Sequence, residues 1–240
     1  MIAPLNSVFK MKLSVHQPCY LPYLGVFEKI AHTDEFVFLD NAQFSTGYVF
    51  NWNTVKTPQG TVRLKVPVDY RFGDTIDRVR IKKSDWKGKH LKIIEYNYKK
   101  SKCFSTVFPL IENVLKYPYE TLAELNISLM MLFFKMLDIA PKIHIASDLD
   151  IFSTGEQRII DICKLLQADE YFSGVGGKNY QDDKHFTKDG IKLSYTGFTA
   201  EPYEQLWGSF IPNLSVVDYL FNCYDEKERR NNTWNICAEL

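Results

Sequence analysis

The chain has 240 residues, 45% hydrophobic and 15% aromatic, with 29 Lys+Arg balanced by 29 Asp+Glu. That length and apolar content suffice for a buried core without disulfide or metal staples. Zero net charge removes the basic footprint of a nucleic-acid-binding protein, and no run reaches the ~18 apolar residues of a membrane span, since Lys135 interrupts the most apolar stretch, 129–137.

Residues 1–10 lack the apolar centre and cleavage site of a signal peptide, and Met11-Lys12-Leu13 reads as a second start, so the first ten residues are expected to be dispensable. The five cysteines are odd in number and widely spaced with no Cys-x-x-Cys pair, which points to a reducing, cytoplasmic setting. Residues 12–15 read as a buried strand, 24–31 as an amphipathic helix and 35–40 as an apolar strand ending on Asp40. Strand, helix and strand in about 30 residues make a parallel βαβ unit.

Between the first strand and the helix lies His16-Gln17-Pro18-Cys19-Tyr20-Leu21-Pro22, the most informative stretch. Two prolines and Gly25 hold this turn open at a strand's carboxyl end and a helix N-terminus, where open α/β sheets bind ligands. A histidine titrates near neutrality, so His16 suits a general acid or base or a donor to phosphate; the plain alternative is a turn-capping histidine. Gln17 and Tyr20 offer directional hydrogen bonds, and Gly25 lets a ligand or a packed strand approach closely. Asp40 could accept from a sugar hydroxyl, hold a metal, or cap the turn at Asn41.

An aromatic and amide-rich loop spans 41–53, where Asn51 and Asn53 are spaced to present both amides to one side. A hairpin pivoting on Pro58-Gln59-Gly60 leads into strand 61–67. Its alternation sets Arg63 and Lys65 on one face, as an anion clamp or an ordinary exposed face, and Val62, Leu64 and Val66 on the other. Helical spacing then predicts helices near 86–98, 106–116 and 119–137.

Strand 142–147, helix 155–166 and strand 170–173 form a second βαβ unit, followed by Ser173-Gly174-Val175-Gly176-Gly177-Lys178-Asn179-Tyr180. Glycine amides and Lys178 after a strand suit a phosphate, although the spacing matches neither a Walker loop nor the dinucleotide fingerprint. A strand at 191–195 and an apolar helix at 214–223 precede a polar tail. His144, Ser147 and Asp148 lack a Gly-x-Ser-x-Gly elbow, which disfavours a serine hydrolase. His32, His90 and His185 have no metal-ligand spacing and are expected at the surface. The order predicts an α/β fold: a Rossmann-like, mostly parallel sheet with a helical insertion. One compact unit is divided as 11–85, 86–140 and 141–224, with 225–240 a flexible tail.

From Lys12 to about Asp225 the chain resembles the WbqC-like proteins, often encoded in bacterial O-antigen and other surface-polysaccharide clusters. The resemblance rests on the run from His16 through Gly25 with Phe27 and Lys29, on Leu39-Asp40, Asn51-Trp52-Asn53 and Leu64-Lys65-Val66-Pro67, on Tyr171-Phe172-Ser173-Gly174 with Tyr180, and on the block 214–222. The chain has Tyr23 where the family usually has Trp, and Trp52 where an Arg commonly stands, which weakens an anion-binding role for that loop.

The resemblance implies a cytoplasmic enzyme of surface-polysaccharide (lipopolysaccharide) biosynthesis. It would modify a nucleotide-linked amino sugar by acyl or glycyl transfer or amide formation, with ATP and Mg as cofactors if the reaction is a ligation. Residues and resemblance together nominate His16 and Asp40 as catalytic and Gln17, Tyr20, Tyr23, Gly25, Lys29, Asn51, Asn53 and Lys65 as substrate-binding. Ser173, Gly174, Gly176, Gly177, Lys178 and Tyr180 would hold phosphate, with no metal site. The alternative is a non-catalytic nucleotide-sugar-binding module that assists a partner enzyme. A homo-oligomer is compatible with either reading, and a nucleic-acid partner is not expected.

Overall fold

The structure, a computed structural model, describes residues 10–224. The expectations for residues 1–9 and for the tail 225–240 fall outside the described residues. In chain order the elements begin with β1 Lys12–His16, α1 Leu24–Ala31 and β2 Glu35–Phe38, followed by the hairpin of β3 Trp52–Thr57 and β4 Gly60–Lys65. A small ladder pairs β5 Val68–Asp69 with β6 Arg80–Ile81. Helices α2 Trp86–Tyr98, α3 Phe104–Lys116 and α4 Leu122–Met136 follow. The remainder is β7 Lys142–Ile145, α5 Gly155–Leu165, β8 Glu170–Ser173, α6 Asp183–Lys188, β9 Lys192–Tyr195 and α7 Val216–Cys223.

The central sheet has five strands, all paired in parallel, in the order β7-β2-β1-β8-β9. Counting only its own strands, that order is third, second, first, fourth, fifth, the doubly wound arrangement of a Rossmann-like α/β fold. The direction of winding reverses between β1 and β8, and a crevice opens above their carboxyl ends. Strand periodicity divides the core between the two faces. Leu13, Val15, Val37 and Leu39 point towards Ile159, Ile160 and Cys163 of α5. Phe36 and Phe38 point the other way, onto Phe27 of α1 and Phe134 of α4, where Phe38 and Phe134 stack with centroids 6.0 Å apart.

Helices α2 to α4 and the hairpin cover that second face. Helix α4 starts at Leu122, not 119, because a capping box fixes it: Glu124 donates its amide to the Thr121 hydroxyl and accepts from the Thr121 amide at 3.0 Å. Helix α7, expected with the second half, packs instead on α3 and the hairpin. Cys103 donates its amide to Phe221 O at 3.0 Å, and Ser215 donates to Thr54 O at 3.0 Å. Helix α6 was not anticipated: six residues with Phe186 alone buried carry too little periodicity to read.

His90 is a correction. It is buried between Tyr20 and Trp86, not at the surface, with Nδ1 2.9 Å from the Tyr20 hydroxyl. Burial lowers its pKa to about 4, against a smaller opposing effect from the Lys65 backbone. The unfolded chain therefore binds a proton that the folded one refuses. Stability is full above about pH 6.5 and falls as pH drops towards 4, by up to about 3 kcal/mol. Urea unfolding followed between pH 7 and 4.5 should show this loss in the wild type and a shallower one in His90→Asn, whose amide keeps the acceptor.

Candidate functional site

The crevice at the winding reversal is a cleft of about 940 Å³. Its floor is made by Val15, His16 and Gln17 at the end of β1 and by Ser173 and Gly174 at the end of β8. Helix α1 contributes Lys29 from one sheet face, and the first turn of α5 contributes Thr154, Gly155 and Arg158 from the other. Tyr48 and Tyr180 line the mouth while remaining 66% and 68% exposed. Exposed aromatic faces beside a polar floor can stack on a sugar or a base.

His16 and Lys29 form a unit. Lys29 is 3% exposed and donates to Val15 O at 2.9 Å, with its Nζ 3.4 Å from His16 Nδ1. Burial lowers the ammonium pKa to about 8, although Cys19 and Glu28 act to raise it, so Lys29 stays largely protonated at neutral pH. Burial, and then the Lys29 charge, hold His16 well below the ordinary histidine value. An ammonium can only donate, so His16 Nδ1 must accept and the neutral ring carries its proton on Nε2. Nε2 has no partner among the described residues. His16 therefore presents a hydrogen-bond donor to the cleft while its lone pair is engaged.

Arg158 is likewise held in place. Its Nε donates to Ser153 O, and Nη1 donates to Asn41 O at 3.1 Å and Asn41 Oδ1 at 3.0 Å. Neither Arg158 nor Lys29 forms a salt bridge among the described residues. Glu28 acts on Lys29 through space, but its own oxygens are engaged by Thr196 and His32. Among the described residues, no aspartate or glutamate lines the cleft. A half-buried cation without a counter-ion is costly, and an anionic ligand would supply the missing charge.

Of the nominated residues, the structure brings His16, Gln17, Tyr23, Lys29, Ser173, Gly174, Gly176, Gly177 and Tyr180 to one cleft. Others serve the fold. Asp40 is 4% exposed and does not line the cleft; its oxygens accept from the Ser147 amide at 2.9 Å and hydroxyl at 2.7 Å, tying β2 to the end of β7. Asn51 and Asn53 are buried latches that donate to Val66 O at 2.8 Å and Leu21 O at 2.7 Å. Tyr20 is spent on His90. Lys65 lies on the exposed face of β4, away from the cleft, and Arg63 beside it stacks 3.8 Å over Trp52.

Gly25 faces protein, not ligand. A Cβ there would come within 2.5 Å of both the Phe198 and Tyr23 rings, which together form a wall of the cleft. The glycine loop folds into a 3-10 turn, Val175–Asn179, that spends the Gly177 and Tyr180 amides on its own carbonyls. A Cβ on Gly177 would press on the Gln181 and Ser173 side chains, which would have to shift to admit it. Lys178 does not line the cleft and lies 5.3 Å from the centre of the Tyr195 ring. The expectation of an open phosphate loop there is reduced to Ser173 and the first glycines.

Arg158, Tyr48 and Thr196 line the cleft but escaped the sequence reading. For Arg158 a signal existed: a cation in the first turn of a helix opposes the macrodipole, and this helix follows a parallel strand.

Two comparisons place the chain among known proteins. The sequence profile described as the WbqC-like protein family matches residues 17–230. The chain is also similar to the uncharacterized protein Rv1507c of Mycobacterium tuberculosis, with 30% identity over 215 residues, covering 88% of this chain and 93% of the relative. With the family match running from the cleft-floor segment to beyond α7, the chain belongs to the WbqC-like protein family.

Proposed function

We propose that the cleft binds a nucleotide-linked amino sugar and that the protein acylates its amine, as a transferase of surface-polysaccharide (O-antigen) synthesis. One observation carries this reading: two unpaired cations and a donating His16 line a carboxylate-free cleft flanked by exposed tyrosines. Phosphoryl oxygens suit the His16 Nε2–H and the Lys29 charge beside it, a separate anionic group suits Arg158, and a sugar or base suits the rings. In acyl transfer the amine attacks the acyl carbon, the activating group leaves with its electron pair, and one amine proton is released. A donating His16 suits the oxyanion that develops on the way.

A magnesium–ATP complex fits this cleft poorly, since the wall offers no carboxylate to the metal, and among the described residues no cluster of three or more His, Cys, Asp or Glu could hold an ion. Acyl transfer from a pre-activated donor is therefore preferred over ligation. The same observation favours the second reading, a binding module without chemistry, because no carboxylate base stands in the cleft and the His16 lone pair is engaged. No helix of the described residues is long and apolar enough to cross a membrane.

Calorimetric titration with a UDP-linked amino sugar should show binding. Mass spectrometry after adding acyl and glycyl thioesters should show the acylated product. Loss of a charge-assisted hydrogen bond predicts that His16→Ala weakens binding tenfold or more. Binding without product under every donor supports the module, and absence of binding by any nucleotide-sugar overturns both readings.

A further inference from the structure

Arg158 and Lys29 approach the cleft from opposite faces of the sheet, on α5 and α1, so the positive charge lies at two poles. The poles differ in chemistry. At the first, the His16 Nε2–H and the Gln17 amide line the cleft and the Lys29 ammonium stands behind the His16 ring, so that donors and positive charge together suit a phosphoryl group. At the second, three guanidinium N–H bonds are already taken, by Ser153 O and by Asn41 O and Oδ1, which leaves Nη2 unpartnered among the described residues. Gln43, in the same lining, also has a side-chain amide with no partner among the described residues.

Thr154 makes no capping bond with its side chain, and a Cβ on Gly155 would meet nothing within 4 Å, so the wall beside Arg158 is open. Glu156, the acid of that first turn, is turned away and held by the Asp182 amide and His185. Arg158 is thus a rigid guanidinium with only Nη2 free and no counter-ion among the described residues, a match for a singly charged acceptor that takes a single charge-assisted hydrogen bond and not a bidentate pair.

We infer that Arg158 forms a carboxylate subsite, so that the ligand assembly in the cleft carries a carboxylate in addition to the phosphoryl group. This rests on the nucleotide-sugar reading above. The carboxylate belongs to the sugar, as in a uronate, or to a separate acyl donor that keeps a free carboxylate when its other carboxyl is activated, as a succinyl thioester does.

The test is calorimetric titration of the full chain and of Arg158→Gln with UDP-glucose, with UDP-glucuronate, and with UDP-glucose in the presence of a millimolar succinyl thioester. In the wild type, either the uronate should bind about tenfold tighter than UDP-glucose, which assigns the carboxylate to the sugar, or the succinyl thioester should tighten UDP-glucose by a similar factor, which assigns it to the donor. Arg158→Gln should abolish that gain and leave UDP-glucose affinity within about twofold of wild type, and Arg158→Lys should keep part of the gain.

Equal weakening of UDP-glucose and UDP-glucuronate in Arg158→Gln would make Arg158 a phosphate contact and overturn the inference. So would a wild type with no gain in either arm. If wild-type protein binds no UDP-sugar at all, the nucleotide-sugar reading itself fails, a result distinct from both.

Discussion

Replacing Lys29 by methionine should weaken nucleotide-sugar binding by about 100-fold while leaving the protein at least as stable as the wild type. The two halves have separate causes. Lys29 is 3% exposed, forms no salt bridge among the described residues, and its pKa is lowered to about 8, chiefly by burial. Relative to the ordinary lysine value of about 10.4, that displacement corresponds to roughly 3 kcal/mol of cost for holding the charge in the folded state.

Because the folded pKa is the lower one, the cost is present below about pH 8 and is relieved as pH rises towards 10.4. Methionine has similar volume and no charge, so it removes this cost and loses only the bond to Val15 O at 2.9 Å. Binding moves the opposite way, because truncating one member of a buried charged contact typically costs 2–5 kcal/mol.

His16 reports the same change. Burial is the first cause of its low pKa and the Lys29 charge the second, so Lys29→Met should raise that pKa without restoring the free value. It should also release Nδ1, and nitrogen-detected NMR of the imidazole would reveal a mixture of tautomers in place of the Nε2–H form. A purely structural Lys29 would give the reverse pattern, with stability lost and affinity kept. Urea unfolding and calorimetry on one preparation distinguish the two.

How far the site could be read from the chain depended on what each residue faces. The short apolar runs at 12–15 and 35–40 specified β1 and β2, the helical spacing specified α1 over Leu24–Ala31, and together they located the strand end that carries His16. Polar residues beyond that end could not be sorted, because spacing reports the direction a side chain leaves the backbone and not what it meets. Asp40 met Ser147, 107 positions away, and Asn53 met Leu21 O, 32 positions away. Both had the residue type of a ligand contact and the environment of a latch. Arg158 was missed for the opposite reason: only the sheet order brings the start of that helix over the end of β1. His90 shows the same limit, since a helix as polar as α2 conceals which of its turns faces the core.

Asp218→Ala should be the most destabilising of these substitutions, at about 3–5 kcal/mol, and should also loosen a wall of the cleft. Asp218 lies in the apolar helix α7 with no exposure, and accepts from Tyr98 Oη at 2.6 Å and Tyr203 Oη at 2.8 Å. Burial raises its pKa, opposed by those two hydrogen bonds and by the charge of Lys56. Lys56 is 1% exposed, and its ammonium caps Gln205 Oε1 at 3.0 Å and Ser209 O at 2.5 Å on the segment between β9 and α7.

Alanine would leave two buried hydroxyls without their charged acceptor and would remove the negative charge that acts through space on the Lys56 ammonium, and losing two hydrogen bonds to a charged group costs about this much. The segment that Lys56 grips also carries Phe198, whose ring forms the cleft wall with Tyr23. Loss of the anchor therefore reaches the site without any contact to ligand. Asp218→Asn keeps the shape and one acceptor, so it should be destabilised by less. Pairing Asp218→Ala with Lys56→Met should recover part of the loss, because the orphaned charge is then gone. Urea midpoints of the three variants test this: a double variant no more stable than Asp218→Ala would show that the cost lies in the tyrosine hydroxyls and not in the unpaired lysine.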